Sequence, residues 1–416
     1  MRPDQRDRWV FFHTHVLVIF LFLVPLVAGL STCGSGASSS SSPPSTMAPA
    51  VPAVYFIERS GLVAALQSQN GRLLWHKQLG QYGSQDATLR LAHDVLYVGR
   101  MTCSSPCSSP RLFIGEIDAL KRSDGALLWR AQVGEKQYEL SSMQAQVLGI
   151  INGIVYVAVH GGFSGQNEEG VVEAIRADSG SLLWRFPLKK ICCRGLVLTN
   201  TAIYLSGLEY VEAIKTNDGT LLWHHQLDAT TGTSLGIQVA NGAVYVGTSG
   251  GNIMGSHAGV VEALRASNGT LLWHRQLKLV PFLLTVAEGA VYVGQFLGQT
   301  LEVLKGSDGS RLWLYVDTPG AARGIIFATV RDSVAYVTAV TVGYSEAGST
   351  LAALRTNNGT PLWRYQVAQG QFKEVEVANG MVYVITSHGL VALQATTGSQ
   401  RWFSANESVL AVVAET

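Results

Sequence analysis

VANGAVYVGTSGGNIMGSHAGVVEALRASNGTLLWHRQL, residues 239 to 277, decides the fold. It holds an apolar run at Val244-Tyr245-Val246, a second from Val260 to Leu264, an Asn268-Gly269 turn and a third run carrying Trp273. Short runs of this kind, without helical spacing, read as strands. The unit recurs along the chain. A glycine stands four residues before a tryptophan at Gly71/Trp75, Gly125/Trp129, Gly180/Trp184, Gly219/Trp223, Gly269/Trp273, Gly309/Trp313, Gly359/Trp363 and Gly398/Trp402, which uses eight of the nine tryptophans. All-strand repeats of roughly 40 residues signal a β-propeller.

The other columns agree. The run around Val244, here strand B, recurs as Val54-Tyr55-Phe56, Leu96-Tyr97-Val98, Val155-Tyr156-Val157, Ile203-Tyr204-Leu205, Val291-Tyr292-Val293, Ala335-Tyr336-Val337 and Val382-Tyr383-Val384. An apolar strand A precedes it, as in Ile237 to Gly242, and strands C and D follow, D carrying the Trp. Asn-Gly or Asp-Gly joins C to D in six repeats, which predicts a two-residue primed turn there. Strands A and B are apolar on both faces, as expected for blades sandwiched between neighbours.

The ends predict how the ring closes. No A strand precedes Val54, and Ser408 to Glu415 resembles an A strand with no B strand after it. Pairing the tail into the first blade gives eight complete four-stranded antiparallel blades and removes an open edge. Successive Trp positions are 54, 55, 39, 50, 40, 50 and 39 residues apart. The extra length lies between B and C, at Gly99 to Phe113, Val159 to Glu169, Thr248 to Ala258 and Ala339 to Ser349. These connections emerge on one face, where binding is expected.

Bulk composition excludes one function class. Charged residues are 14% and the net charge is +1, so the basic stripe of a nucleic-acid binder is missing. The N-terminus suggests export. Arg2, Arg6 and Arg8 precede an apolar run from Val16 to Leu30, which fits a signal peptide over 1–33 or, counted from Trp9, an uncleaved membrane anchor. Leu30-Ser31-Thr32-Cys33 resembles the bacterial lipobox, with Thr32 where that pattern has glycine, alanine or serine, and Cys33 would carry the lipid. Residues 34–50 are rich in Ser, Gly and Pro and read as a linker, and 51–416 as the propeller. Lipoprotein, uncleaved anchor and free secretion all place the propeller outside the cytoplasm.

The segments Ala119-Leu120…Asp124-Gly125-Ala126-Leu127-Leu128-Trp129 and Ala263-Leu264…Asn268-Gly269-Thr270-Leu271-Leu272-Trp273 resemble the tryptophan-docking motif of the pyrroloquinoline-quinone (PQQ) type propeller repeats, over residues 53 to 416. That family includes quinoprotein alcohol dehydrogenases and non-enzymatic scaffolds such as the eight-bladed outer-membrane assembly lipoprotein. The resemblance implies that Trp75, Trp129, Trp184, Trp223, Trp273, Trp313, Trp363 and Trp402 pack between blades, since a buried indole gains apolar contact and its N–H reaches a carbonyl. Quinoprotein dehydrogenases also carry adjacent cysteines against the quinone, which draws attention to Cys192-Cys193, read here as lying in a D–A connection. The calcium site of such enzymes needs clustered acids and amides. Asp86, Gln144, Gln238, Glu374 and Glu376 are scattered instead.

With Cys33 set aside, Cys103, Cys107, Cys192 and Cys193 form an even set compatible with oxidation in any of three pairings, a local Cys103–Cys107 clip being the first choice. His76, His224 and His274 follow the repeat Trp in separate blades, so they would not meet on a metal. Arg194 and Arg323, each before a glycine at the start of an A strand, would flank the channel rim, there to bind an anionic ligand or acidic peptide or to hold loop carbonyls. The expectation is an extracytoplasmic, membrane-tethered binding or scaffold propeller with no cofactor, no metal and no turnover, taking a protein, peptide or cell-surface polymer on the long-loop face. A PQQ-dependent dehydrogenase is the alternative, and a ligand-sensing propeller in a larger cell-surface system a third reading.

Overall fold

The computed structural model describes residues 52–80, 87–103, 113–138, 143–161, 170–188, 192–207, 209–227, 234–249, 259–295, 300–317, 323–341, 348–367, 372–405 and 408–415. The chain divides into two units, Met1–Ala50 and Val51–Thr416, and every described residue lies in the second. Within the second, the described residues form eight four-stranded antiparallel sheets. No helix among the described residues is long and apolar enough to cross a membrane.

Blade 5 shows the unit. Strand A is Ser234–Ala240, B is Ala243–Thr248, C is Val260–Arg265 and D is Leu271–Gln276, paired in that order. All six residues of B are buried, and so are the first five of C, whereas D alternates with its outer face in solvent. Burial on both faces explains why these middle strands lack polar alternation, whereas strand A, expected to be apolar on both faces as well, is part-exposed and carries polar residues such as Arg90 and Lys373. The A strands of neighbouring blades touch one another in an unbroken cycle, which makes them the wall of a central channel.

Closure uses the tail. Val409–Ala414 pairs antiparallel with Ala53–Glu58 as the innermost strand of blade 1, with Tyr55 opposite Val413 and Ile57 opposite Ala411. Arg59 donates its backbone N–H to Ser408 O at 2.8 Å, and Glu415 donates to Ala53 O at 3.1 Å. A side-chain latch adds to the ladder, because Tyr55 donates its hydroxyl to Glu415 Oε1 at 2.7 Å while Arg122 of blade 2 lies 3.5 Å from the same oxygen.

The primed turns sit elsewhere than expected. Between C and D the loop has four residues: Arg265 N–H donates to Thr270 O, Gly269 N–H donates to Arg265 O, and in Ala266 to Gly269 only Gly269 has positive φ. A two-residue type I′ turn would need positive φ at Asn268 as well. The Asn or Asp serves a different purpose, accepting the backbone N–H two residues on, as in Thr270 to Asn268 Oδ1 at 3.2 Å and Ala126 to Asp124 Oδ1 at 2.9 Å. The true two-residue primed turns join A to B, where Asn152-Gly153, Asn241-Gly242, Glu288-Gly289, Asp332-Ser333 and Asn379-Gly380 have positive φ at both positions.

Each blade is keyed into the next by its tryptophan. A register shift in the C–D pairing, between Ala263 and Leu264 in blade 5, recurs just before the Trp pair in every blade. The indole then lies on the C–D turn glycine of the following blade and donates to the carbonyl that follows its strand C: Trp129 to Ala177 O, Trp223 to Ala266 O and Trp313 to Thr356 O, each at 2.8 Å. All eight tryptophans make this bond. The strand-B tyrosine of the same blade stands 5.9 to 6.1 Å from its indole, as in Tyr55 with Trp75 and Tyr156 with Trp184.

Candidate functional site

The residues singled out in the sequence fall into three places. Cys192, Cys193 and Arg194 form the first residues of the blade 4 inner strand, Cys192–Leu198, and not the connection before it. The register there jumps from Cys192 to Gly195, which leaves Cys193 and Arg194 in a bulge at the channel end of the strand. Arg323 opens the blade 7 inner strand, Arg323–Arg331, at the same end. Cys103 is the last residue of Val95–Cys103 in blade 2, paired with Phe113, so part of the expected long loop is extended hairpin. Cys33, Asp86, Cys107 and the tips of the four long connections lie outside the described residues.

The histidines remain apart. His76 and His274 are exposed, and His224 Nδ1 lies 2.9 Å from Glu212 Oε1 on the outside of blade 4. Among the described residues no three histidine, cysteine or acidic side chains are grouped to hold a metal ion.

Side chains do converge where the inner strands of blades 8, 1, 2 and 3 meet. A cleft of about 340 Å³ opens there, lined by Thr88, Arg90, Gln144, Gln146, Lys373 and Glu374 together with apolar residues that include Leu410 and Ala411. These residues lie toward the end of the channel where the inner strands begin, the face that carries the B–C connections. The fold creates the polarity. An inner strand has a free edge, and its N–H and C=O groups need partners that no further strand supplies. Neighbouring inner strands supply them: Glu374 Oε2 accepts Val412 N–H at 3.1 Å, Thr88 Oγ1 accepts Val147 N–H at 2.9 Å, and Thr285 Oγ1 donates to Ala328 O at 2.8 Å.

The charges of the cleft are not mutually neutralised at contact distance. Arg90 donates Nη1 to the Leu89 carbonyl at 2.9 Å, and neither Arg90 nor Lys373 forms an ion pair among the described residues. Desolvation raises the Glu374 carboxyl to about 7 against the Val412 N–H and Arg90, which pull it down, while Glu376 adds to the rise. Glu376 is raised too, by burial, with Arg90 and Arg331 opposing. Lys373 is lowered by burial and by the like charge of Arg59. Gln146 Oε1 is 3.3 Å from His160 Nε2, which braces the amide from behind.

A second buried polar feature ties blades together. The third or fourth residue from the end of strand C is an acid in five successive blades, Asp118, Glu173, Glu212, Glu262 and Glu302, all at most 7% exposed. Their partners reach between blades: Glu302 Oε1 accepts Arg275 of blade 5 at 2.9 Å, and Glu173 Oε1 accepts the Gly134 N–H of blade 2 at 3.1 Å. In blade 2, Arg100 is 1% exposed and bonds Asp118 at 2.7 Å and Glu116 at 2.6 Å. This column was readable in EIDALK, VVEAIR, YVEAIK, VVEALR and TLEVLK as an acid at the fourth residue from the end of each apolar run, with Glu116 as a second acid in the first. Arg90 and Lys373 have no such column, because the inner strands differ from blade to blade.

Comparison with known proteins fits this anatomy. A family model described as "Outer membrane protein assembly factor BamB" matches residues 114–282 and 209–415. The chain belongs to the BamB family. No curated protein matches it. Among solved structures, BamB from Moraxella catarrhalis is similar at 16% identity and a TM-score of 0.52, covering 83% of this chain and 92% of that one. The dihydro-heme d1 dehydrogenase NirN, in complex with DHE, is similar at 10% identity and 0.59, covering 90% and 77%. The computationally designed Ika8 protein is similar at 14% and 0.58, covering 79% and 90%. At these identities the likeness is one of fold, and the same ring serves in an assembly factor, a dehydrogenase and a design.

Proposed function

We propose that this BamB-family chain is a non-enzymatic, extracytoplasmic binding or scaffold propeller. Its N-terminus tethers it to the membrane through Cys33, and the face carrying the long connections takes a protein, peptide or surface polymer. The observation that carries this reading is the division of labour in the ring. Eight like Trp joints hold the blades, so the opposite face of short turns is repetitive, while the B–C connections and the channel mouth vary from blade to blade. Variable segments on a rigid frame are the usual site of recognition.

Two measurements test it. A photo-crosslinking residue at Gly348, beside the blade 7 connection, is compared in cells with one at Asn268, in a C–D turn on the other face. A discrete adduct from position 348 and none from 268 is expected; adducts of equal yield from both, or none from either, overturn the binding face. Metabolic labelling with a palmitate analogue, lost in Cys33→Ala, tests the tether, and an unlabelled parent overturns that part. Dye-linked alcohol oxidation after adding PQQ and calcium would replace the scaffold reading by the dehydrogenase one.

A further inference from the structure

We infer that the cleft between the inner strands of blades 8, 1, 2 and 3 is a binding site for a small polyhydroxylated anion, a sugar acid or sugar phosphate, held by Arg90 and Lys373. The site lies at the channel end that faces the long connections, and its test depends neither on the tether nor on the partner proposed above. Its volume of about 340 Å³ is at the small end of ligand pockets and has room for one hexose-sized molecule. The lining brings together two cations that make no ion pair among the described residues, Arg90 from blade 2 and Lys373 from blade 8, one carboxyl and two carboxamides, beside Leu410 and Ala411 of blade 1. Two cations without an ion-pair contact among the described residues, held in a confined space, attract an anion, and the guanidinium fork suits a carboxylate or phosphate.

The remaining groups select for hydroxyls. Gln146 is held by His160 and Glu374 by Val412 N–H, so both present fixed polar atoms that need not be reordered on binding. Among the described residues no aromatic side chain borders the cleft, so they offer a stacked planar ring no platform, whereas an aliphatic polyol does not need one. Acidity should tune the affinity. The groups facing Glu374 are Arg90 from blade 2, Glu376 on its own strand and the Val412 amide from blade 1; Arg331 from blade 7 faces Glu376, and Arg59 faces Lys373. With its proton on, Glu374 donates to the ligand; without it, the carboxylate repels the anion.

The test is calorimetric titration of the purified chain with galacturonate, with glucose 1-phosphate and with uncharged glucose. Either anion should bind and glucose should not, and which anion binds more tightly distinguishes carboxylate from phosphate. Arg90→Gln and Lys373→Gln should each weaken binding by about tenfold or more, the loss expected for a charge-assisted contact, with melting at about pH 5 little changed, because both side chains are exposed and the Glu374 carboxyl that Arg90 steadies is protonated there. Affinity of the parent should fall between about pH 6 and about pH 8, and Glu374→Gln should flatten that dependence. Glucose binding as tightly as the anions, no binding of either anion, or binding unaltered in both cation variants overturns the assignment.

Discussion

Trp402 of the last blade donates its Nε1–H to the carbonyl of Ser68 in the first, at 2.8 Å. Its ring lies against Gly71, where an added Cβ would stand 3.0 Å from the indole. This joint between residues 334 positions apart repeats what Trp273 does with Gly306 and Gly309 one blade away. The ring is therefore shut twice, by the tail strand and by a side-chain joint no different from the other seven.

The joints should differ in strength where a second donor shares the carbonyl. Ala266 O accepts both Trp223 Nε1 at 2.8 Å and Tyr204 Oη at 3.2 Å, whereas Ser68 O has Trp402 as its side-chain donor. Trp402→Phe should cost about 1 to 3 kcal/mol by leaving a buried carbonyl without that bond, and Trp223→Phe less, because the tyrosine hydroxyl remains. Denaturant midpoints of the two variants check the order. Equal losses would mean the hydroxyl adds nothing.

Glycine column positions separate crowding from backbone strain. Gly219 has φ of +70° and its added Cβ would fall 2.6 Å from the Trp184 ring; Gly242 has φ of +75° with nothing within 4 Å. Both alanine variants carry the left-handed penalty of about 1 kcal/mol, but only Gly219→Ala must also displace an indole, adding about 1 to 3 kcal/mol. Unfolding free energies should therefore separate the pair by that second amount. A Gly242→Ala as damaging as Gly219→Ala would refute the crowding argument.

The ring itself was legible in the chain because its determinants are local and repeated. Gly269 stands four residues before Trp273 in each copy, with a strand-B tyrosine upstream, and the missing A strand before Val54 matched the surplus one after Ser408. The turn at Asn268-Gly269 was misread because the dipeptide reports a positive φ at glycine without reporting how many residues the loop contains. The same dipeptide at Asn241-Gly242 does make the two-residue turn. The cleft was not legible for a different reason. Lys373 of blade 8 meets Arg90 of blade 2 and Gln144 of blade 3 only because the ring closes, and an inner strand exposed to a channel obeys no common pattern.

Arg100 is expected to be among the most sensitive charged positions. It is 1% exposed and donates to Asp118, Glu116 and the Leu79 carbonyl of blade 1. Arg100→Met leaves Asp118, 0% exposed, with Arg130 as its remaining cation, and should cost about 3 to 5 kcal/mol. Adding Asp118→Leu should recover part of that loss, since the uncompensated carboxylate goes with it. Stability of the single and double variants by urea unfolding decides the matter, and a double variant no more stable than Arg100→Met alone would contradict it.

Glu374 makes stability depend on pH in a stated direction. Its carboxyl is raised from 4.5 to about 7, chiefly because neighbouring inner strands desolvate it. Between those values the folded chain holds a proton that the unfolded chain has lost, so stability falls as pH rises through that window. The contribution is fully present below the unfolded value and gone above the folded one, and Glu376 shifts in the same direction. Glu374→Gln removes the ionisation yet keeps an oxygen that accepts Val412 N–H. The variant should match its parent near about pH 4.5 and exceed it above about pH 7 by about 2 to 3 kcal/mol, partial exposure to channel water being discounted. Thermal unfolding across that range measures the gap. A gap that stays constant with pH, or a variant weaker than its parent at high pH, would show that the Val412 contact outweighs desolvation and that the carboxylate is at home in the channel.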